Sequence, residues 1–124
     1  MINYITDLIN IANNITKDVP VTTTYPDTNI VPIVIMYESE QIDIYRCSEY
    51  EHAASTITIE IYAKDIPTRN ILKTDIDEFM KDLKYELVKK EDIDNNPIYV
   101  SKLTYQCEVI QKDGSVHIYS RKNN

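Results

Sequence analysis

The chain has 124 residues, a formal net charge of −7, 43% hydrophobic and 27% charged residues, one glycine, two cysteines and ten tyrosines. That is the size of one domain with a real core, and it excludes a glycine-rich phosphate loop, a disulfide framework and a groove that holds nucleic acid by neutralising its phosphates. No apolar run reaches the ~18 residues of a membrane helix, no basic-then-apolar leader opens the sequence, and Cys47 and Cys107 read as reduced thiols of a cytoplasmic protein.

Ile2, Ile5, Ile9, Ala12 and Ile15 recur at helical spacing and predict an N-terminal helix over residues 1–16, ended by Asn13-Asn14 and then Pro20. The β-branched run from Val21 to Tyr25 predicts a short strand, and Tyr25-Pro26-Asp27 a turn. Residues 30–37 form a nearly continuous apolar strand, which predicts cover on both faces, one by a helix and the other by a neighbouring subunit. Pro32 cannot donate to a ladder and belongs near the strand start or on an edge. Residues 38–55 are the most polar stretch. They predict a short strand from Ile42 to Cys47 inside a projecting loop or irregular hairpin. Its residues Glu38, Glu40, Asp43, Tyr45, Glu49, Tyr50 and Glu51 are a solvated loop by default and, in a functional reading, a contact arm.

Residues 56–64 alternate strictly, with Ile57, Ile59, Ile61 and Ala63 on one face and Thr56, Thr58, Glu60, Tyr62 and Lys64 on the other. Pro67 stops this strand, and Thr68 is the expected N-cap of a helix ending near Leu87. Leu72, Ile76, Phe79, Leu83 and Leu87 make its apolar stripe; Asp77 and Lys81 form an i,i+4 pair, and Lys89 and Lys90 complement the C-terminal dipole. Residues 91–97 read as a polar loop and residues 99–110 as a long strand. Asp113-Gly114 is the strongest hairpin signal. A two-residue turn there sets Lys112 opposite Ser115, Val109 opposite Ile118 and Cys107 opposite Ser120. That register gathers Leu103, Tyr105, Cys107, Val109, Val116 and Ile118 on one face, with Gln106, Glu108, Tyr119 and Arg121 on the other. Residues 122–124 read as a frayed tail. The result is a single α+β domain over residues 1–124: a mostly antiparallel sheet packed against an amphipathic helix, with an additional N-terminal helix. The expected core is Ile5, Ile9, Ile33, Ile35, Ile57, Ile59, Ile61, Leu72, Ile76, Phe79, Leu83, Leu103, Tyr105 and Val109.

No catalytic constellation is embedded in these elements. Cys47, His52, Cys107 and His117 fit no common zinc spacing, and the hairpin register sets Cys107 and His117 on opposite faces. Asp92-Ile93-Asp94-Asn95-Asn96 imitates the start of a calcium loop, but Pro97 stands where that loop needs glycine and Leu103 where it needs glutamate. His52 and His117 lie in no nucleophile–base motif. No metal, cofactor or catalytic residue is expected.

The order of elements — N-terminal helix, Tyr25-Pro26, a Pro-started apolar strand, an acidic connector, the alternating strand Ile57-Thr58-Ile59-Glu60-Ile61-Tyr62-Ala63-Lys64, a long helix, a long strand and a final hairpin — resembles the tail-terminator, or tail-completion, proteins of tailed bacteriophages and phage-tail-like particles. The resemblance covers roughly Tyr4 to Tyr119, departing from the family in its poverty of glycine and its long acidic connector. It implies a structural virion protein, assembled in the host cytoplasm and not an enzyme. Six subunits would form a ring on the head-proximal end of the tail tube, ending tube polymerisation and joining the tail to a head or neck connector. DNA would pass through the channel without specific binding, and no membrane is involved. The implied partners are further copies of the chain, the tube protein and the neck protein. A neck or head-completion protein and a small ferredoxin-like ligand-binding domain are the competing classes.

Overall fold

The computed structural model describes residues 2–16, 19–24, 31–95 and 97–119. The Tyr25-Pro26-Asp27 turn, Ile30, Ser120, Arg121 and the tail 122–124 lie outside the described residues. Elements run α1 (Ile5–Thr16), β1 (Val21–Thr22), β2 (Ile33–Arg46), β3 (Tyr50–Ala63), α2 (Ile66–Asp82), β4 (Glu86–Asn95), β5 (Ile98–Lys112) and β6 (Ser115–Tyr119). This is the expected α+β class. The sheet has the order β1-β2-β3-β5-β4, with β6 also pairing β5. All ladders are antiparallel except β1–β2. The strand β5 is long enough to hold two neighbours end to end on one edge: Ile98–Gln106 pair with β4, and Glu108–Lys112 with β6.

The face of α1 differs from the expected stripe. Leu8, Ile9 and Ala12 are buried and Ile5 is partly so, while Ile15 is exposed. Ile2 and Tyr4 precede the helix and are buried as an extended lead-in. Asn13 does not end the helix. It sits inside α1 and holds β1, its Nδ2 donating to the Val21 carbonyl at 3.0 Å and its Oδ1 accepting from the Val21 N–H at 2.8 Å. Pro32 lies one residue before β2, where its missing N–H costs no ladder bond.

The acidic stretch 38–55 takes the hairpin form and not the loop form. β2 and β3 are paired almost throughout, leaving only residues 47–49 as the turn, so the short strand expected at Ile42–Cys47 is the end of a 14-residue one. Two register shifts, between Glu38 and Glu40 and between Asp43 and Tyr45, explain why the sequence pattern hid it. Each bulge adds one residue and flips the in–out alternation.

α2 begins three residues earlier than Thr68 suggests. Asp65 is the N-cap, its carboxylate accepting the Thr68 N–H at 2.7 Å, with Pro67 in the first turn. The helix ends at Asp82 and not near Leu87. Lys84 takes φ 72°, the Lys84 N–H reaches the Lys81 carbonyl and the Tyr85 N–H reaches the Met80 carbonyl. This is a Schellman cap built on lysine where glycine is usual. Leu87, Lys89 and Lys90 therefore belong to β4, as do Asp92 and Asp94, which were expected in a loop. Lys89 and Lys90 do not serve the helix dipole.

The Asp113-Gly114 turn pairs Lys112 with Ser115 and Val109 with Ile118, as its sequence requires. Both turn residues have positive φ, 52° and 77°, the type I′ signature.

Both helices pack on one sheet face. Ile57, Ile59, Ile61, Leu72, Ile76, Phe79, Leu103, Tyr105 and Val109 form one cluster there, with Val34, Met36 and Met80 added and Leu83 at its margin. Ile33 and Ile35 are buried on the opposite face, beside Tyr62 and Glu60, so cover on both faces of β2 arises within one chain and needs no neighbouring subunit at these two positions.

Candidate functional site

The distal half of the β2–β3 hairpin collects the residues singled out from the sequence. Arg46 donates to Asp43 at 3.3 Å and to Glu51 at 2.6 Å. The Tyr45 and Tyr50 rings lie 5.3 Å apart and tilted, an aromatic pair spanning the turn. Glu49 is exposed in the turn and Glu40 is exposed on the face away from the helices. Six of the seven named positions thus share one arm, and Ile42, Ile44 and Tyr45 leave it with exposed apolar surface.

Glu38 is different. It stands at the arm's base, on the helix side, and is a member of a half-buried polar network. Ser55 donates to Glu38 Oε2 at 2.5 Å, Tyr4 donates in turn to the Ser55 hydroxyl at 2.5 Å, and Gln41 Nε2 donates to both Glu38 oxygens at 2.9–3.0 Å. Gln41 then reads the backbone of Ile2 in both directions. Its Oε1 accepts the Ile2 N–H at 2.7 Å and its Nε2 donates to the Ile2 carbonyl at 2.9 Å. One amide side chain acts here as a strand neighbour for residue 2, and the N-terminal lead-in is strapped across the arm's base. Cys107 closes the network below, its sulfur 3.7 Å from the Tyr4 hydroxyl. Burial pushes the Cys107 thiol up to about 11, so it is a neutral core group and not a nucleophile. Burial raises Tyr4 and Tyr85 as well, and the buried Tyr85 hydroxyl finds no hydrogen-bond partner among the described residues.

The helix-free face is read from the ladder registers. Crossing the sheet at the arm's level, one row is Glu40–Thr56–Gln106–Glu86 and another is Tyr45–His52–Ile110–His117. Between them Ile42, Ala54 and Glu108 share a row. His52 Nε2 lies 3.4 Å from Glu108. Glu40, Ile42, Ala54, Thr56, Glu86 and Gln106 border a shallow groove of ≈ 440 Å³. Among the described residues these rows hold three carboxylates and no lysine or arginine. Nearer the β1 end the face becomes mixed, with Glu60, Lys102, Glu91 and Lys89 on adjacent positions.

A second polar cluster ties α2 to β4. Arg69, only 3% exposed, donates to Asp94 through Nη1 and to Asn70 at 3.2 Å, and Asp92 lies 3.8 Å from its Nη2. Ser101 and Lys73 both bond Asp92, at 2.6 Å and 3.0 Å. The Ser101 hydroxyl first, then Lys73 and Arg69, hold Asp92 below the usual carboxylate range. Burial by itself would raise Asp77, yet hydrogen bonds from Lys81 and Tyr105 hold it low. Arg69 and Lys73 pair with Asp92 and Asp94, and Lys81 pairs with Asp77, so the cluster braces α2 against β4. The calcium-loop imitation is part of it: Asp92 and Asp94 face the Arg69 guanidinium.

Of the four residues weighed for zinc, Cys107 lies under Tyr4 in the core while His117 opposes Ile110 on the other face. Among the described residues no three His, Cys, Asp or Glu side chains converge as metal ligands would.

No protein-family model matches this chain, and no curated protein matches it.

Sequence reasoning missed Gln41, Tyr4, Ser55 and Arg69. The one signal was spacing: Ser55 stands two residues before Ile57 and so falls on the same buried face, and Arg69 stands three residues before Leu72 on the apolar stripe.

Proposed function

We propose that this chain is a structural, non-enzymatic ring subunit of a phage or phage-tail-like particle. Six copies would cap the head-proximal end of the tail tube, stop its growth and offer the joint to the neck. The resemblance of its sequence supports the phage setting. The observation that carries the ring reading is the division of the sheet into a helix-clad face and, at the arm's level, a helix-free face on which Glu40, Glu86 and Glu108 outnumber a single cation, Lys112, among the described residues. Turned towards a channel, such a face repels the phosphate backbone weakly over the ~8–10 Å screening range. A basic lining would bind DNA and slow its passage.

The arm supplies the contact to a neighbouring subunit or to the tube. Six chains at −7 each carry −42, so ring closure works against repulsion. The isolated protein is therefore a monomer or weak oligomer in dilute, low-salt solution, and the tube end acts as template. Negative-stain imaging of particles assembled without this protein tests the reading. Overlong or headless tails are expected. Tails of normal length joined to heads would refute it, as would tight, salt-sensitive DNA binding by the isolated chain.

A further inference from the structure

We infer that adjacent subunits join by pairing the outer edge of β2 in one copy with the outer edge of β6 in the next. This rests on the ring reading above. The ladder rows Tyr45–His52–Ile110–His117 and Arg46–Glu51–Gln111–Val116 cross four strands. At this level, among the described residues, the sheet is bounded by β2 on one side and β6 on the other, at the same height. Each of the three ladders between them is antiparallel, so β2 and β6 run in opposite directions. A second copy related by rotation about an axis along the strands brings its β2 beside β6 in antiparallel sense. The alternation then continues from copy to copy, and two different edges meeting head to tail generate a ring when the rotation closes.

The chemistry of the edges selects this pair. The outer edge of β4 is guarded: Lys89, Lys90, Glu91, Asp92 and Asp94 are exposed along it, and a bulge interrupts it between Leu87 and Lys89. β6 reads Ser-Val-His-Ile-Tyr, with no carboxylate, lysine or arginine. The β2 edge exposes Ile42 at 55%, Ile44 at 46% and Tyr45 at 52% within four residues. Among the described residues its only strand partner on that side is β1, at Val34 and Ile35. Pairing β2 with a second β2 would set the Glu40 and Asp43 edges against their own copies, which like-charge rules disfavour. The carboxylate-free β6, flanked by exposed Lys112, accepts that acidic edge. β6 has five residues, about 17 Å of ladder, which at a sheet thickness of ~10 Å makes an edge of roughly 170 Å², well short of the ~800 Å² per partner of a stable interface. A single junction is therefore weak, and closure of the whole ring supplies the stability.

Cysteine cross-linking tests this in the full-length protein carrying Cys47→Ser. Cross-strand Cα separations of ~4.5–5.5 Å fall within disulfide reach. Under mild oxidation at high protein concentration, a mixture of the Tyr45→Cys and His117→Cys proteins is expected to form covalent dimers, while each alone stays monomeric. The double variant is expected to give a ladder of oligomers. Tyr45→Cys cross-linking to itself as readily as to His117→Cys would overturn the proposal in favour of two-fold β2 pairing. So would a mixture that cross-links no better than Tyr45→Cys with Ile93→Cys on the guarded β4 edge. Both positions are exposed, and circular dichroism checks the fold of each variant. The gel reads which edges meet whatever the particle does, so failure of the tail-capping role and failure of this interface are separately visible.

Discussion

Gln41→Ala is the most informative single perturbation of the fold. The side chain makes two bonds to the Ile2 backbone, at 2.7 and 2.9 Å, and bridges to the Glu38 carboxylate. Ile2 is 1% exposed and Tyr4 5% exposed, so their backbone groups regain little water while the strap stays in place. Two net hydrogen bonds at about 0.5–1.5 kcal/mol each give roughly 1–3 kcal/mol. Glu38 keeps Ser55 and is partly solvated, so it adds little. For a chain of this size roughly 4 °C of Tm accompanies each kcal/mol, giving a drop of about 4–12 °C. Gln41→Glu is the sharper control. It keeps the shape but sets a carboxylate against the Ile2 carbonyl and Glu38, both acceptors, and should cost more than alanine. Thermal melts give the loss, and hydrogen exchange locates it. The Leu8 amide, which bonds the Tyr4 carbonyl at 3.1 Å, should lose protection before the β3–β5 ladder does. A Gln41→Ala protein within about 0.5 kcal/mol of the parent, or one that loses protection uniformly, would refute the strap.

Phe79→Ala removes a 5% exposed ring from the helix–sheet interface and should cost about 3–5 kcal/mol in urea melts; a loss below about 1 kcal/mol would mean that the α2 stripe is not the core face. Lys84→Gly relieves the left-handed φ of 72° and should stabilise by about 0.5–1 kcal/mol, read from the same melts. Alkaline pH should destabilise the fold. Cys107 is raised to about 11 by burial, and Tyr4, Tyr85 and Tyr105 are raised as well. Above about pH 9 the unfolded chain loses these protons first, so stability is complete below that pH and falls by up to about 1.4 kcal/mol per pH unit per group as pH rises towards the folded values. A Cys107→Ala protein should show a shallower decline between pH 9 and 11 by denaturant titration, and an unchanged slope would count against burial as the cause.

Where one element carries its own period, sequence and structure agree. The strict alternation of Ile57, Ile59 and Ile61, the stripe Leu72–Ile76–Phe79, and the Asp113-Gly114 register all survive folding, because each is set by geometry within a few residues of itself. Of the candidate contact arm, membership was legible in the run of acids and tyrosines from Glu40 to Glu51, but its form was not. Bulges at two places break the period-2 pattern, so a 14-residue strand reads as a loop.

Residues 86–95 failed for a different reason. Their charges suit a loop, and no glycine marks the helix end, since Lys84 takes the left-handed position. The segment is a strand because β5 offers it a ladder and because Arg69, Lys73 and Ser101 hold Asp92 and Asp94. The same holds for the strap, where Gln41 meets Ile2 across 39 residues of chain. Local periodicity determined the class, the central strand, the second helix and the last hairpin. Tertiary structure alone decided which polar segments became strands, because a strand's hydrogen bonds and a buried charge's partners are supplied by residues far away in sequence, which no local pattern encodes.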